Sequence, residues 1–137
     1  MIFITFGYYR NDVDIYFYSA PTWMTGLMHL MMLASVAVMQ AGKSYFGHMS
    51  RLGDKIGHPM LSGLVIWSIA HLLVNGTAMA YILFGGLGIW AYAQILLLNK
   101  SSKEGRPVIK GTFVGDIILG FIVIFLYAVF VWIHIYL

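Results

Sequence analysis

The sequence predicts an all-α integral membrane protein with four transmembrane helices in an antiparallel bundle and both termini on the outer, non-cytoplasmic side. Three observations carry that reading. The chain is 137 residues long, 61% of them hydrophobic and 9% charged, whereas soluble domains carry about 25% charged residues. Apolar runs near the length that a hydrocarbon core about 30 Å thick requires, about 20 residues at 1.5 Å each, recur four times. Basic residues gather in two of the connecting segments, the asymmetry that orients membrane helices.

Residues 1–20 read as an interfacial aromatic segment and residues 21–137 as a single four-helix membrane domain. Tyr8, Tyr9, Tyr16, Phe17 and Tyr18 stand beside Arg10, Asp12 and Asp14, a mixture suited to the headgroup zone and unlike a secretory signal peptide. The first span runs from Thr22 to Gly42, opened by Pro21 and closed by a polar Gly-Lys-Ser. The second runs from Pro59 to Val74, with proline in the first turn and Asn75-Gly76 beyond its end. The third covers Thr77 to Leu98 and the fourth Thr112 to Leu137, after the polar linker NKSSKEGRPVIKG. The segments Lys43–His58 and Asn99–Gly111 are both basic, so the positive-inside rule assigns them to the cytoplasm-like side.

Composition also excludes functions. The chain has no cysteine, which removes disulfides, thiolate metal sites, iron–sulfur clusters and cysteine nucleophiles. The basic residues punctuate apolar runs instead of forming a face for nucleic acid, and no phosphate loop, nucleophile–base pair or buried carboxylate pair stands at usable spacing. Neither paired broken helices nor rings of intramembrane charge support a transporter or channel.

The five histidines are the most informative polar residues, because ionisable groups in a membrane are costly and usually have a partner or a task. The topology brings His29, His71 and His134, from three spans, to the outer leaflet, while His48 and His58 fall in or beside the first basic loop. Imidazoles at similar depth on facing helices are what haem b needs, since its iron takes axial nitrogens. The competing reading is a histidine satisfied by a backbone carbonyl, an asparagine or a lipid headgroup. Trp67, Ser68, His71 and Asn75 share one helix face and supply an indole, a hydroxyl and an amide around the ring, or a polar helix–helix seam. Asp116, Gly120, Tyr127 and His134 form a stripe on the fourth span, with Asp116 a structural group on the basic side and Lys110 as its expected partner. Gly85 and Gly88, flanked by Tyr81 and Tyr92, make a shallow groove in which helix packing is favoured over a flat ligand. Met24, Met28, Met31, Met32 and Met39 read as adaptable packing.

The run GHPMLSGLVIWSIAHLLVNG, then LFGGLGIWAYAQ, resembles the NnrU family of integral membrane proteins, whose relatives include 15-cis-zeta-carotene isomerase. The likeness begins near APTW at residues 20–23 and continues through GDIILG to the histidine of the last helix. It implies that His71 corresponds to a haem b ligand of the isomerase branch and His58 to the His-Pro that opens the same helix. Two departures stand out. The family's additional amino-terminal helices, one with a second ligating histidine, have no counterpart before Pro21, which leaves His29 or His134 for that role. The isomerase cysteine three residues before the helix histidine is Ser68, so a thiol-based ligand switch has no residue here, and enzyme activity is left open.

Two functions follow as expectations. One is a haem-binding protein for electron transfer or redox sensing, using His71 with His29 or His134 and with Trp67, Ser68, Asn75 and Tyr127 around them. The other is a non-catalytic accessory subunit of a larger membrane complex, such as a respiratory complex. The partners are the lipid bilayer and other membrane subunits, with no nucleic acid, in a bacterial inner or mitochondrial inner membrane.

Overall fold

The computed structural model describes residues 15–101 and 110–136. The expected interfacial residues Tyr8 and Tyr9, the charges Arg10, Asp12 and Asp14, most of the second basic linker and Leu137 lie outside the described residues. Five helices and a two-stranded hairpin make up the rest: α1 (Thr22–Ala41), β1 (Ser44–Tyr45), β2 (His48–Met49), α2 (Arg51–Lys55), α3 (Pro59–Val74), α4 (Ala78–Ser101) and α5 (Phe113–Tyr136). Three of them, α1, α4 and α5, are long and apolar enough to cross a membrane. The 16-residue α3 extends only about 24 Å at 1.5 Å per residue.

The helices stand in an open row, α5–α1–α3–α4, with α4 and α5 at opposite ends and no substantial interface between them. The antiparallel bundle expected from short connections takes the form of a single layer in which neighbours run antiparallel. The physical reason is the distribution of small side chains. Ala41, Ala70, Ala80 and Ala91 are fully buried, and the largest fully buried side chains are Ser35 and Ser68, so backbones approach closely where these residues lie. Ser35 Oγ donates to the Gly63 carbonyl at 2.8 Å, and a Cβ on Gly63 would sit 2.9 Å from the Ser35 carbonyl oxygen. Larger apolar residues point away from the row: Ile89, Phe121, Ile124 and Phe125 are all well exposed. On the α1–α5 side, Val36, Ala41, Leu119 and Val123 form a small apolar cluster.

Two features have no forecast in the hydropathy pattern. Helix α4 contains a π turn over Tyr81–Gly85, ending within the Gly85-Gly86 pair. The first basic loop is structured throughout: β1 and β2 pair antiparallel with Tyr45 opposite His48, and α2 follows, capped by Ser50 accepting from Gly53 N–H. The hairpin's two-residue loop has positive φ at Phe46 (53°) and Gly47 (80°), the pattern of a type I′ turn. An aromatic residue in that region costs about 1–2 kcal/mol relative to the usual Asn or Gly.

Asp116 does not pair with Lys110. It receives Arg51 Nε at 2.5 Å and the Arg51 backbone N–H at 2.8 Å. A backbone chain places Arg51 there: Thr112 N–H donates to the Met49 carbonyl at 2.8 Å, and Ser50 bridges Thr112 in parallel. Among the described residues, every formally charged side chain stands at this one end of the row: Lys43, Arg51, Asp54, Lys55, Lys100, Lys110 and Asp116. It is called the charged end below, and its opposite the aromatic end.

Candidate functional site

At the aromatic end, residues 15–18 cross the α3–α4 connection. Phe17 N–H donates to the Gly76 carbonyl at 2.6 Å and Ala78 N–H to the Ile15 carbonyl at 2.9 Å. The Tyr18 hydroxyl donates to the Leu72 carbonyl, and burial raises its pKa above the ordinary value. Gly76 is required, since a Cβ there would meet the Tyr18 carbonyl oxygen at 2.4 Å.

His71 lies one turn below this crossing, half-buried on the side of α3 that faces α4. Its Nδ1 donates to the Trp67 carbonyl at 3.0 Å. A carbonyl oxygen can only accept, so Nδ1 carries the proton and Nε2 the lone pair. The ring lies on Phe84 at 4.5 Å with 25° between planes, and Trp67 tilts against it at 4.3 Å. Asn75 Nδ2 donates to the His71 backbone carbonyl at 2.8 Å and so supports the helix end and not the imidazole. Ser68 packs against Gly88 of α4, and its buried hydroxyl has no hydrogen-bond partner among the described residues.

Of the other two expected histidines, His29 is set differently and His134 in the same way. His29 Nδ1 shares a 2.6 Å hydrogen bond with the Tyr127 hydroxyl, and the rings meet edge to face. This contact ties α1 to α5, so Tyr127 serves His29. His134 is seven residues further along α5, about 10 Å at helical rise. Its Nδ1 donates to the Phe130 carbonyl at 2.9 Å, which leaves Nε2 as the lone-pair nitrogen, as in His71. His58, at the charged end, donates from Nε2 to Asn99 Oδ1 at 3.0 Å.

The expected glycine groove exists. It is an open depression of about 660 Å³ between α3 and α4, with Ser68, Tyr81, Gly85, Gly88 and Tyr92 among its lining residues. Gly88 is there for packing, while a Cβ on Gly85 would meet nothing within 4 Å. A second groove, lined by Phe17, Ala78, Tyr81 and Ile82, adjoins it. Neither has a histidine in its lining, so neither is a slot between two imidazoles. No group of three or more His, Asp or Glu side chains able to hold a bare metal ion occurs among the described residues.

The residue that the sequence reading gave no role is Phe84. Its signal is helical spacing across two elements: an aromatic residue on α4 opposite Trp67 and His71, within the Leu-Phe-Gly-Gly run where the π turn resets the face.

No curated protein and no solved structure matches the chain. A family profile does: NnrU protein, over residues 1–137, extending the likeness through the amino-terminal segment that lies before Ala20. The chain belongs to the NnrU family.

Proposed function

We propose that this is a membrane-embedded subunit in which His71 would hold haem b together with a second histidine of this chain, His134 or His29. What supports the reading is the lone pair left free: a backbone carbonyl satisfies Nδ1 in His71 and in His134, and Nε2 of each is available to a ligand. Ligating histidines are commonly arranged this way, the second nitrogen being held by a carbonyl or carboxylate. Phe84 and Trp67 hold the His71 ring so that little rotational freedom is lost on ligation. The donor chemistry fits an axial ligand, and the resemblance of the Trp-x-x-Ala-His segment to the isomerase branch supports the same residue. When bound, haem supplies a one-electron couple for electron transfer or redox sensing. The residues of this chain fix the imidazole tautomer, orient the ring and exclude water from its α4 side. His29 is the weaker second ligand, because the Tyr127 hydroxyl can donate as well as accept and so does not fix its tautomer as a carbonyl does.

In this reading α3 is the fourth crossing, carried between α1 and α4, and the charged end faces the cytoplasm or matrix of a bacterial or mitochondrial inner membrane. Protein purified in detergent is expected to show a Soret band that His71→Ala abolishes and His134→Ala shifts. A colourless, folded sample from haem-replete cells would sink the proposal.

A second reading, a non-catalytic subunit of a larger complex such as a respiratory one, is favoured by the single-layer row. Large apolar faces on both sides of α1 and α3 are left for lipid or for other subunits. Its test is migration on native gels: co-migration with stoichiometric partners is expected, and a lone, stable monomer overturns it.

A further inference from the structure

The β1–β2 hairpin puts a costly residue in a conspicuous place. Phe46 occupies the left-handed region at φ 53°, which bulky L residues avoid, and its side chain is 90% exposed. Water alone gives no reason for an aromatic ring there. Backbone is also packed closely around the base of the hairpin. A Cβ on Gly115 would lie 2.0 Å from the Met49 carbonyl oxygen, one on Gly53 1.8 Å from that of Ala41, and one on Gly111 2.4 Å from the Arg51 Cα. Tyr45 adds a hydrogen bond from its hydroxyl to Gln40 Oε1 at 2.6 Å.

The height of the hairpin follows from its neighbours. It starts three residues after the last residue of α1 and receives the Thr112 N–H immediately before α5. It is therefore level with the ends of two helices of membrane-crossing length. Other apolar side chains stand exposed at this level, Leu52 and Phe113 among them, with the Arg51 guanidinium 5.5 Å from the Phe113 ring centroid. Cations share this end of the row. Arg51 is committed to Asp116, but Lys43, Lys100 and Lys110 make no ion pair among the described residues.

We propose that the Phe46 hairpin is a lipid-headgroup anchor: its ring enters the interfacial zone of the leaflet at the charged end, and Lys43, three residues before it, binds the phosphate of an anionic lipid. Aromatic rings and lysines at one depth suit that zone, where the ring is sheltered and the ammonium meets phosphate. The glycine seat fixes the base of the hairpin close to its neighbours, and the type I′ turn leaves the ring directed outward. The occupant is the bilayer's own anionic lipid. Acidic protein segments are the alternative partner, and they would leave the hairpin exposed to water in a pure lipid disc.

The absence of cysteine makes the test direct. A nitroxide attached at Ser44→Cys, in full-length protein in nanodiscs, reports relative exposure to oxygen, which concentrates in lipid, and to an aqueous nickel chelate. With phosphatidylcholine plus phosphatidylglycerol, oxygen is expected to dominate. Phe46→Asn keeps a residue suited to positive φ, so the turn is preserved, and is expected to shift the label toward nickel accessibility. Lys43→Gln is expected to weaken the preference for phosphatidylglycerol over phosphatidylcholine about fivefold, the equivalent of one surface lysine. A label equally open to nickel with and without Phe46, or a lipid preference unchanged by Lys43→Gln, overturns the proposal.

Discussion

The two ends of the helix row solve the same problem, how to finish apolar helices, by opposite means. At the charged end, backbone meets backbone: Gly53, Gly111 and Gly115 let the hairpin, α2 and the start of α5 touch without side chains between them, and Asp116 gathers two donors from Arg51. At the aromatic end, side chains do the joining. Tyr18, His71 and His134 each spend one polar atom on a backbone carbonyl, and rings stack on rings. The contrast teaches where chemistry has room. A glycine seat fixes a shape but has no group to offer a ligand, whereas an imidazole held by one nitrogen still offers the other.

Substitutions at glycine test the first half of the contrast most sharply. Gly115→Ala is expected to cost about 3 kcal/mol, the upper range for overpacking, because the new methyl meets a backbone carbonyl that cannot move aside. Gly120→Ala, five residues along the same helix with nothing within 4 Å, is expected to gain roughly 0.5 kcal/mol from helix propensity. Thermal unfolding of the two variants in detergent distinguishes them, and equal midpoints would erase the contrast.

Phe84→Leu probes the other end. Replacing a buried ring that stacks on His71 and meets Trp67 edge to face is expected to cost about 1.5 kcal/mol. Nitrogen-15 NMR of the imidazole should also show the His71 ring gaining motion, while a ring that stays as rigid as before would mean that Trp67 alone holds it. Arg51→Ala is expected to have a smaller effect, since Arg51 is largely exposed and its backbone N–H still reaches Asp116. High salt should reproduce most of the loss in the unmutated protein. Ser68→Ala should have the smallest effect, neutral to slightly stabilising, because it removes a buried hydroxyl without a partner. A clear loss of stability would mean that the hydroxyl is satisfied by a group beyond the described residues.

Much of this was legible in the chain itself. The ends of α1 and α5 fall within a residue or so of the expected boundaries, because Pro21, the Gly-Lys-Ser turn and the basic linker break apolar runs abruptly. The shared face of Trp67, Ser68 and His71 was readable from helical spacing, and so was the Tyr81–Tyr92 groove. The hairpin was not, since Tyr-Phe-Gly-His has neither the alternation nor the Asn-Gly that usually announces one. Arg51 could not be picked out as the partner of Asp116 across 65 residues, with Lys110 so much nearer in sequence. Phe84 became visible only once the π turn set its direction.

Sequence by itself determined the solvent and the segmentation: apolar helices suited to lipid, of given length, with charges kept to the connections and the helix ends beside them. These are consequences of composition and periodicity, which act locally. Tertiary structure decided which helices touch, which nitrogen of each histidine is engaged, and that the helices form an open row instead of a closed bundle. Those outcomes depend on where small side chains from distant segments meet, and close approach between backbones is a property of pairs that no single segment encodes.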